Sequence, residues 1–182
     1  MTVMTAVETA GRFTRADLDA MPDDGRRYEL LDGAIIVTPA PTPAHQDAVL
    51  NLAQLLRADV PAHLKVFIAP LDVALPTHDV LEPDVLVVSR DLVTAKDVTG
   101  VPVLAVEVLS PSSRRRDVGD KLTAYRDAGV PSYWVVDPVG LRFRAWQLEG
   151  DDYVGVADIS GDQEWTADAP YEVTIRPGDL RD

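Results

Sequence analysis

The sequence predicts an α/β (α+β) domain with a mixed central sheet flanked by helices. Two runs, Asp84-Val85-Leu86-Val87-Val88 and Val103-Leu104-Ala105-Val106-Glu107-Val108-Leu109, are apolar on both alternating faces, the pattern of central strands covered from both sides. Two stretches, 44–60 and 117–128, carry apolar residues at helical spacing and supply that cover. Strand-like segments lie before, between and after these helices, so the sheet is mixed and its strand order stays open.

Residues 1–12, small and polar without a period, read as a flexible leader, and 13–182 as one domain. Thr14 followed by Asp17 and Leu18 makes a capped start for a short helix over 15–20, which Pro22 to Gly25 stops. Tyr28 to Leu31 and Ala34 to Thr38 form a hairpin, because Asp32-Gly33 tolerates the positive φ of a two-residue turn. Prolines 39, 41 and 43 interrupt the sheet before the helix that places Val49, Leu52, Ala53, Leu55 and Leu56 on one stripe. Short strands are expected at 66–68 and 71–75, then the two buried ones. The second helix, over 117–128, shows Val118, Leu122 and Tyr125 on its stripe and Gly129 as its stop. Strands at 133–136, 141–148, 153–159 and 171–175 close the chain.

Composition narrows the chemistry. The 182 residues hold 17 basic and 30 acidic side chains, a formal charge of −13, the wrong sign for coating nucleic acid or anionic lipid. Any polyanion contact is therefore weak and local. With no cysteine, disulfides, thiolate zinc sites and cysteine nucleophiles are excluded. No apolar run reaches the roughly 20 residues of a membrane span and no secretion signal opens the chain, so a soluble cytoplasmic protein is expected. His45, His63 and His78 lack metal-ligand spacing, and no serine-hydrolase elbow, P-loop or dinucleotide fingerprint occurs.

The informative residues are those that break local rules. Glu107 interrupts a strand apolar on both faces; it is either paired, protonated or metal-bound, or it reaches solvent at the strand end. Asp84, after Pro83, repeats the puzzle, with ordinary strand-entry chemistry as the alternative. Glu29, between Tyr28 and Leu30, is either a third acid of the same site or the outward face of an alternating strand. Two or three carboxylates at neighbouring strand ends suit one hard cation such as Mg²⁺. Lys121 borders the apolar stripe beside Val118 and Tyr125 and so leans toward the sheet, unless it simply pairs with Asp117 four residues earlier. Between Glu107 and Lys121, the loop with Ser112, Ser113, Arg114 and Arg115 offers hydroxyl, amide and guanidinium donors to phosphate, or is a solvated charge run.

The segments Tyr28-Glu29-Leu30-Leu31-Asp32-Gly33, Pro83-Asp84, Val106-Glu107-Val108-Leu109-Ser110-Pro111-Ser112, Asp117 to Lys121 and Tyr133-Trp134-Val135-Val136-Asp137-Pro138, in this order, resemble the Uma-two family of restriction endonucleases. That family is a branch of the PD-(D/E)XK nuclease superfamily, and the likeness is strongest over 13–148. The superfamily pattern is an Asp, then an acid and a Lys separated by one residue on the next strand. Asp84 and Glu107 match, but Leu109 stands where the lysine belongs. The resemblance implies that Lys121 supplies it from the next helix, that Glu29 is an additional acid, and that the sheet is restriction-endonuclease-like. It further implies Mg²⁺-dependent hydrolysis of DNA phosphodiester bonds, with Asp84, Glu107 and the Val108 carbonyl holding the metal and Mn²⁺ as a substitute. His45, Asp117 and Tyr125 would stand in a second line, and the protein would be a homodimer. The fold also hosts proteins without nuclease activity, so a non-catalytic binding or regulatory module remains the alternative, favoured by the charge of −13.

Overall fold

The computed structural model describes residues 12–110 and 113–181. Of the leader expected over 1–12, all but Arg12 lies outside the described residues. Helix α1 (Arg15–Asp19) begins at a full capping box between Thr14 and Asp17. Strands β1 (Arg27–Leu31) and β2 (Ala34–Thr38) form the expected hairpin, with Asp32 and Gly33 at φ 48° and 75°. Helix α2 (Pro43–Ala58) starts on Thr42, whose side chain accepts from the His45 amide. Then follow β3 (Leu64–Ile68), β4 (Val73–Ala74), β5 (Val80–Leu81), β6 (Val85–Ser89), β7 (Val98–Thr99) and β8 (Leu104–Val108). After helices α3 (Arg114–Asp117) and α4 (Asp120–Asp127) come β9 (Ser132–Asp137), β10 (Arg142–Glu149), β11 (Asp152–Ser160), β12 (Trp165–Ala167) and β13 (Val173–Ile175).

The central sheet has the order β11-β10-β9-β8-β6-β3. Within it β8 and β9 run parallel, with α3 and α4 in their connection, and the other neighbours are antiparallel. On one face Leu52 and Leu56 of α2 gather with Val85, Val87, Leu104 and Val106. On the other, Ala124 and Tyr125 of α4 join Leu86, Val88, Ala105 and Tyr133. Both faces of β6 and β8 are thus buried, as their continuous apolar pattern requires.

Two expectations are corrected. A second, five-stranded sheet, β2-β1-β5-β4-β7, lies outside the central one and contributes Leu31, Val73 and Leu81 to the core on the α4 side. Its strands β4, β5 and β7 have two residues each, too short to show a period, so the segment expected over 71–75 shrinks to β4. The helix expected over 117–128 is two helices broken at Val118-Gly119. A Cβ on Gly119 would meet the Arg115 carbonyl oxygen at 2.9 Å, so the break needs a glycine.

The core gives a direct test. Leu52→Ala should lower the unfolding free energy by about 2–5 kcal/mol. By contrast Leu50→Ala, at a residue 53% exposed on the same helix, should stay within about 0.5 kcal/mol. Urea midpoints at unchanged slope measure both.

Candidate active site

Strand pleating decides which way each acid points. Leu31 packs toward the central sheet, and Glu29 and Arg27, two and four residues earlier on β1, share its face. Glu29 is only 1% exposed, so it is an inward acid and not the outer face of the hairpin. On β8, Leu104, Val106 and Val108 serve the α2 side, while Ala105 serves the α4 side, and Glu107 follows Ala105. The register Val85↔Val106 carries Asp84 opposite Glu107 at the end of the β6–β8 ladder. Asp84 takes over there as ladder partner: its Oδ2 accepts the Val108 amide at 2.8 Å and stands 3.1 Å from His45 Nε2. The amide and carbonyl of one strand residue point the same way, so the Val108 carbonyl also faces the Asp84 edge.

Lys121 joins the two sheets. Its ammonium donates to Glu29 Oε1 at 2.8 Å and to Glu107 Oε1 at 2.9 Å, and it is 2% exposed. The alternative pairing with Asp117 is not the one formed. Tyr125 donates its hydroxyl to the same Glu107 oxygen at 3.0 Å. The Glu82 amide donates to Glu29 Oε1 at 2.9 Å.

Glu29, Asp84, Glu107 and Lys121 line a cleft of about 270 Å³ together with Thr38 to Thr42, Ser110, Ser113 and Arg116. It holds Glu29, His45, Asp84, Glu107, Val108, Asp117 and Lys121 of the expected residues. Tyr125 stands behind Glu107. Ser113 lines the cleft, while Ser112 lies outside the described residues. Arg114 does not reach in: it pairs with Asp137 at 2.6 Å, and Arg115 is exposed away from the cleft. The basic residue of that loop which lines the cleft is Arg116. Sequence reasoning also missed Arg27 and Glu82. Arg27 was legible, since it sits two residues from Glu29 on the same strand face. Glu82, in Leu81-Glu82-Pro83-Asp84, gave only the weaker signal of an acid next to an apolar residue.

Electrostatics within the cleft are uneven. Burial works to raise the Glu29 carboxyl, but Lys121, the Glu82 amide and Arg27 outweigh it and hold the group below its ordinary range. Asp84 is likewise held low against burial by His45, Arg27 and Lys121. Glu107 goes the other way: burial, reinforced by Asp117, Asp84 and Glu29, pushes it well above the ordinary value despite Lys121. Burial lifts Asp117 to about 6 and Glu82 to about 7. Lys121 is raised, the three acids around it overcoming burial. The cleft is short of positive charge.

Its donor set consists of hard oxygens, the chemistry that suits Mg²⁺. Three buried polar atoms of cleft-lining residues, Arg27 Nε, His45 Nδ1 and Asp117 Oδ2, have no hydrogen-bond partner among the described residues. Those residues contain no group of three His or acid side chains arranged to cage a metal by themselves. Mg²⁺ needs no such cage, because one or two carboxylates, a carbonyl and waters fill its shell.

A mixed sheet with a helix-connected parallel pair, acids at its strand ends and a second sheet against one face places the molecule among the restriction-endonuclease-like nuclease folds. The chain belongs to the Uma2 family, described as "Putative restriction endonuclease", whose sequence profile matches residues 15–176. A solved structure from Anabaena variabilis ATCC 29413, described as a putative nuclease belonging to DUF820, is similar with a TM-score of 0.73 at 16% identity. The match covers 92% of this chain and 97% of that one, and shows a shared fold. No curated protein matches the chain.

Removing the central cation should be costly. Lys121→Met leaves two buried carboxylates unpaired and should destabilise by about 3–5 kcal/mol at pH 7. The loss should shrink toward pH 4, where the carboxyls take up protons, and urea titrations at both pH values read it. Asp117 tests the opposite sign. Its folded carboxyl titrates near 6, above the ordinary 3.8, so its contribution to stability is complete below 3.8 and is lost as pH rises through 6. Asp117→Asn escapes that loss, and its stability relative to the parent should grow between pH 4 and 7 by something on the order of 2 kcal/mol.

Proposed function

We propose that this protein is a Mg²⁺-dependent endonuclease that hydrolyses DNA phosphodiester bonds, with Mn²⁺ able to replace Mg²⁺. One observation carries the reading: Glu29, Asp84, Glu107 and Lys121, from four separate chain segments, line one cleft, with the ammonium bonded to two of the acids. Asp84, Glu107 and the Val108 carbonyl are the residues that would hold the metal. A bound Mg²⁺ would neutralise charge on the scissile phosphate and ease deprotonation of the attacking water. The protein's own part is positioning. The Val108 amide and His45 hold Asp84 Oδ2, which fixes the carboxylate plane. Lys121 and Tyr125 hold Glu107 by a single oxygen and leave Oε2 out of those bonds. The Lys121 ammonium, bonded to Glu29 and Glu107, stabilises the charge that builds on the phosphate.

Contacts to DNA are local, because the chain is acidic overall. Ser113 and Arg116 at the cleft rim are the phosphate contacts that this reading favours. We place the protein in the cytoplasm as a homodimer, since cutting both strands of a duplex needs two clefts. No helix among the described residues is long and apolar enough to cross a membrane. The charge of −13 favours a second reading, a non-catalytic binding or regulatory module.

Incubation with plasmid and Mg²⁺ or Mn²⁺ separates the two. Metal-dependent nicking that falls by about 100-fold or more in Glu107→Gln supports the nuclease, and intact plasmid at all metal concentrations supports the module. Metal binding has its own readout. Mg²⁺ should raise the melting temperature by mass action, more at neutral pH than in mild acid, where protons compete for Glu107. Asp84→Asn and Glu107→Gln should each abolish most of that rise, and Glu29→Gln less of it.

A further inference from the structure

Arg27 belongs neither to the acid and lysine set nor to the loop expected to meet phosphate, yet its guanidinium forms part of the cleft wall. Its anchoring is incomplete. Nη2 donates to the Glu82 carbonyl at 3.1 Å, and Nη1 reaches Asp84 Oδ1 at a long 3.3 Å. Nε lies 2.9 Å from Glu82 Oε2, but the pair lacks hydrogen-bond alignment, and both atoms are buried without a hydrogen-bond partner among the described residues. A guanidinium carries five N–H donors in a planar fork. Nη1 and Nη2 each use one of their two donors and Nε is held in the Glu82 ion pair, so a mostly buried cation lines the cleft with one donor on each terminal nitrogen to spare. A phosphate with two oxygens side by side is the ligand that such a fork satisfies.

The two oxygens of Asp84 are unequal in the same sense. Oδ2 has the Val108 amide and His45, whereas Oδ1 meets only Arg27 among the described residues. Arg27 therefore occupies the carboxylate oxygen that a hard cation needs. A divalent cation and a guanidinium on one oxygen repel strongly in a buried setting. The Arg27 side chain is 19% exposed, which leaves it a path into the cleft.

We propose that Arg27 guards Asp84 in the metal-free protein and, once a divalent cation takes that carboxylate, forks onto the phosphate of the bound nucleic acid. The inference rests on the nuclease reading of the cleft and assigns a phosphate-binding residue that also sets metal affinity. It makes an unusual demand: removing the cation must improve metal binding while harming turnover.

Calorimetric titration with Mn²⁺, without nucleic acid, and cleavage kinetics on a labelled oligonucleotide test it together. Arg27→Met should bind Mn²⁺ about 5-fold or more tighter than the parent, because a competing positive charge is gone. The same variant should cleave about 100-fold more slowly. Arg27→Lys keeps the charge and loses the fork, so Mn²⁺ affinity should stay within about 2-fold while KM rises about 10-fold. If Arg27→Met does not fold, as circular dichroism will show, the Arg27→Lys split between unchanged metal affinity and raised KM decides alone. Arg27→Met that binds Mn²⁺ no better than the parent, or either variant cleaving at the parental rate and KM, overturns the inference while leaving the nuclease reading intact. A parent that binds Mn²⁺ through Asp84 but cleaves nothing overturns the nuclease reading and, with it, the phosphate half of the inference; tighter Mn²⁺ binding in Arg27→Met then supports the guarding half.

Discussion

The buried ammonium of Lys121 is the contact on which the arrangement of the site depends. It joins three elements with no sequence proximity: β1 of the outer sheet through Glu29, β8 of the central sheet through Glu107, and its own helix α4. Each carboxylate alone would be too costly to bury, and so would the ammonium. Together they are tolerated, and the outer sheet is thereby locked against the central one at a defined position. One cation facing several acids also explains the unequal pKa shifts. Burial raises both, but Glu29 gains Lys121, a backbone amide and Arg27 and stays low, whereas Glu107, with Asp117, Asp84 and Glu29 adding to its burial, rises. A carboxyl held high by burial and by neighbouring negative charge marks a place where added positive charge lowers the free energy.

A second constraint is the end of a hydrogen-bond ladder. Strand β6 starts at Val85, so the amide of Val108 on β8 has no strand partner. An unpaired buried amide is expensive, and the Asp84 side chain satisfies it. The acid is thus fixed by backbone geometry before any ligand enters. His45 reaches the same oxygen from the first turn of α2, where Thr42 caps the helix and sets the approach. Central sheet, outer sheet, α2 and α4 each deliver a polar side chain to one cleft.

Much of this was legible because it breaks local rules. An acid inside a strand apolar on both faces has few explanations, so Glu107 and Asp84 stood out without a structure. Lys121 was readable from its place at the border of a helical stripe. Arg114 and Arg115 lie off the cleft for a related reason: a basic run signals charge but not direction, and Arg114 pairs with Asp137 while Arg116 lines the cleft. Two-residue strands have no period, so the outer sheet beyond its hairpin could not be read. The break at Gly119 was hidden because the apolar spacing of 117–128 continues across it.

The sequence by itself determined the hairpin, the two long buried strands, the amphipathic α2 and the identity of the rule-breaking acids and lysine. These follow from periodicity, capping and burial cost, which act over a few residues. Only the tertiary structure decided that Glu29 faces inward, that Lys121 pairs with Glu29 and Glu107 and not with Asp117, and that Arg27 rests on Asp84. Those outcomes depend on how two sheets pack against each other. Such packing sets distances between residues far apart in the chain, and no local pattern carries that information.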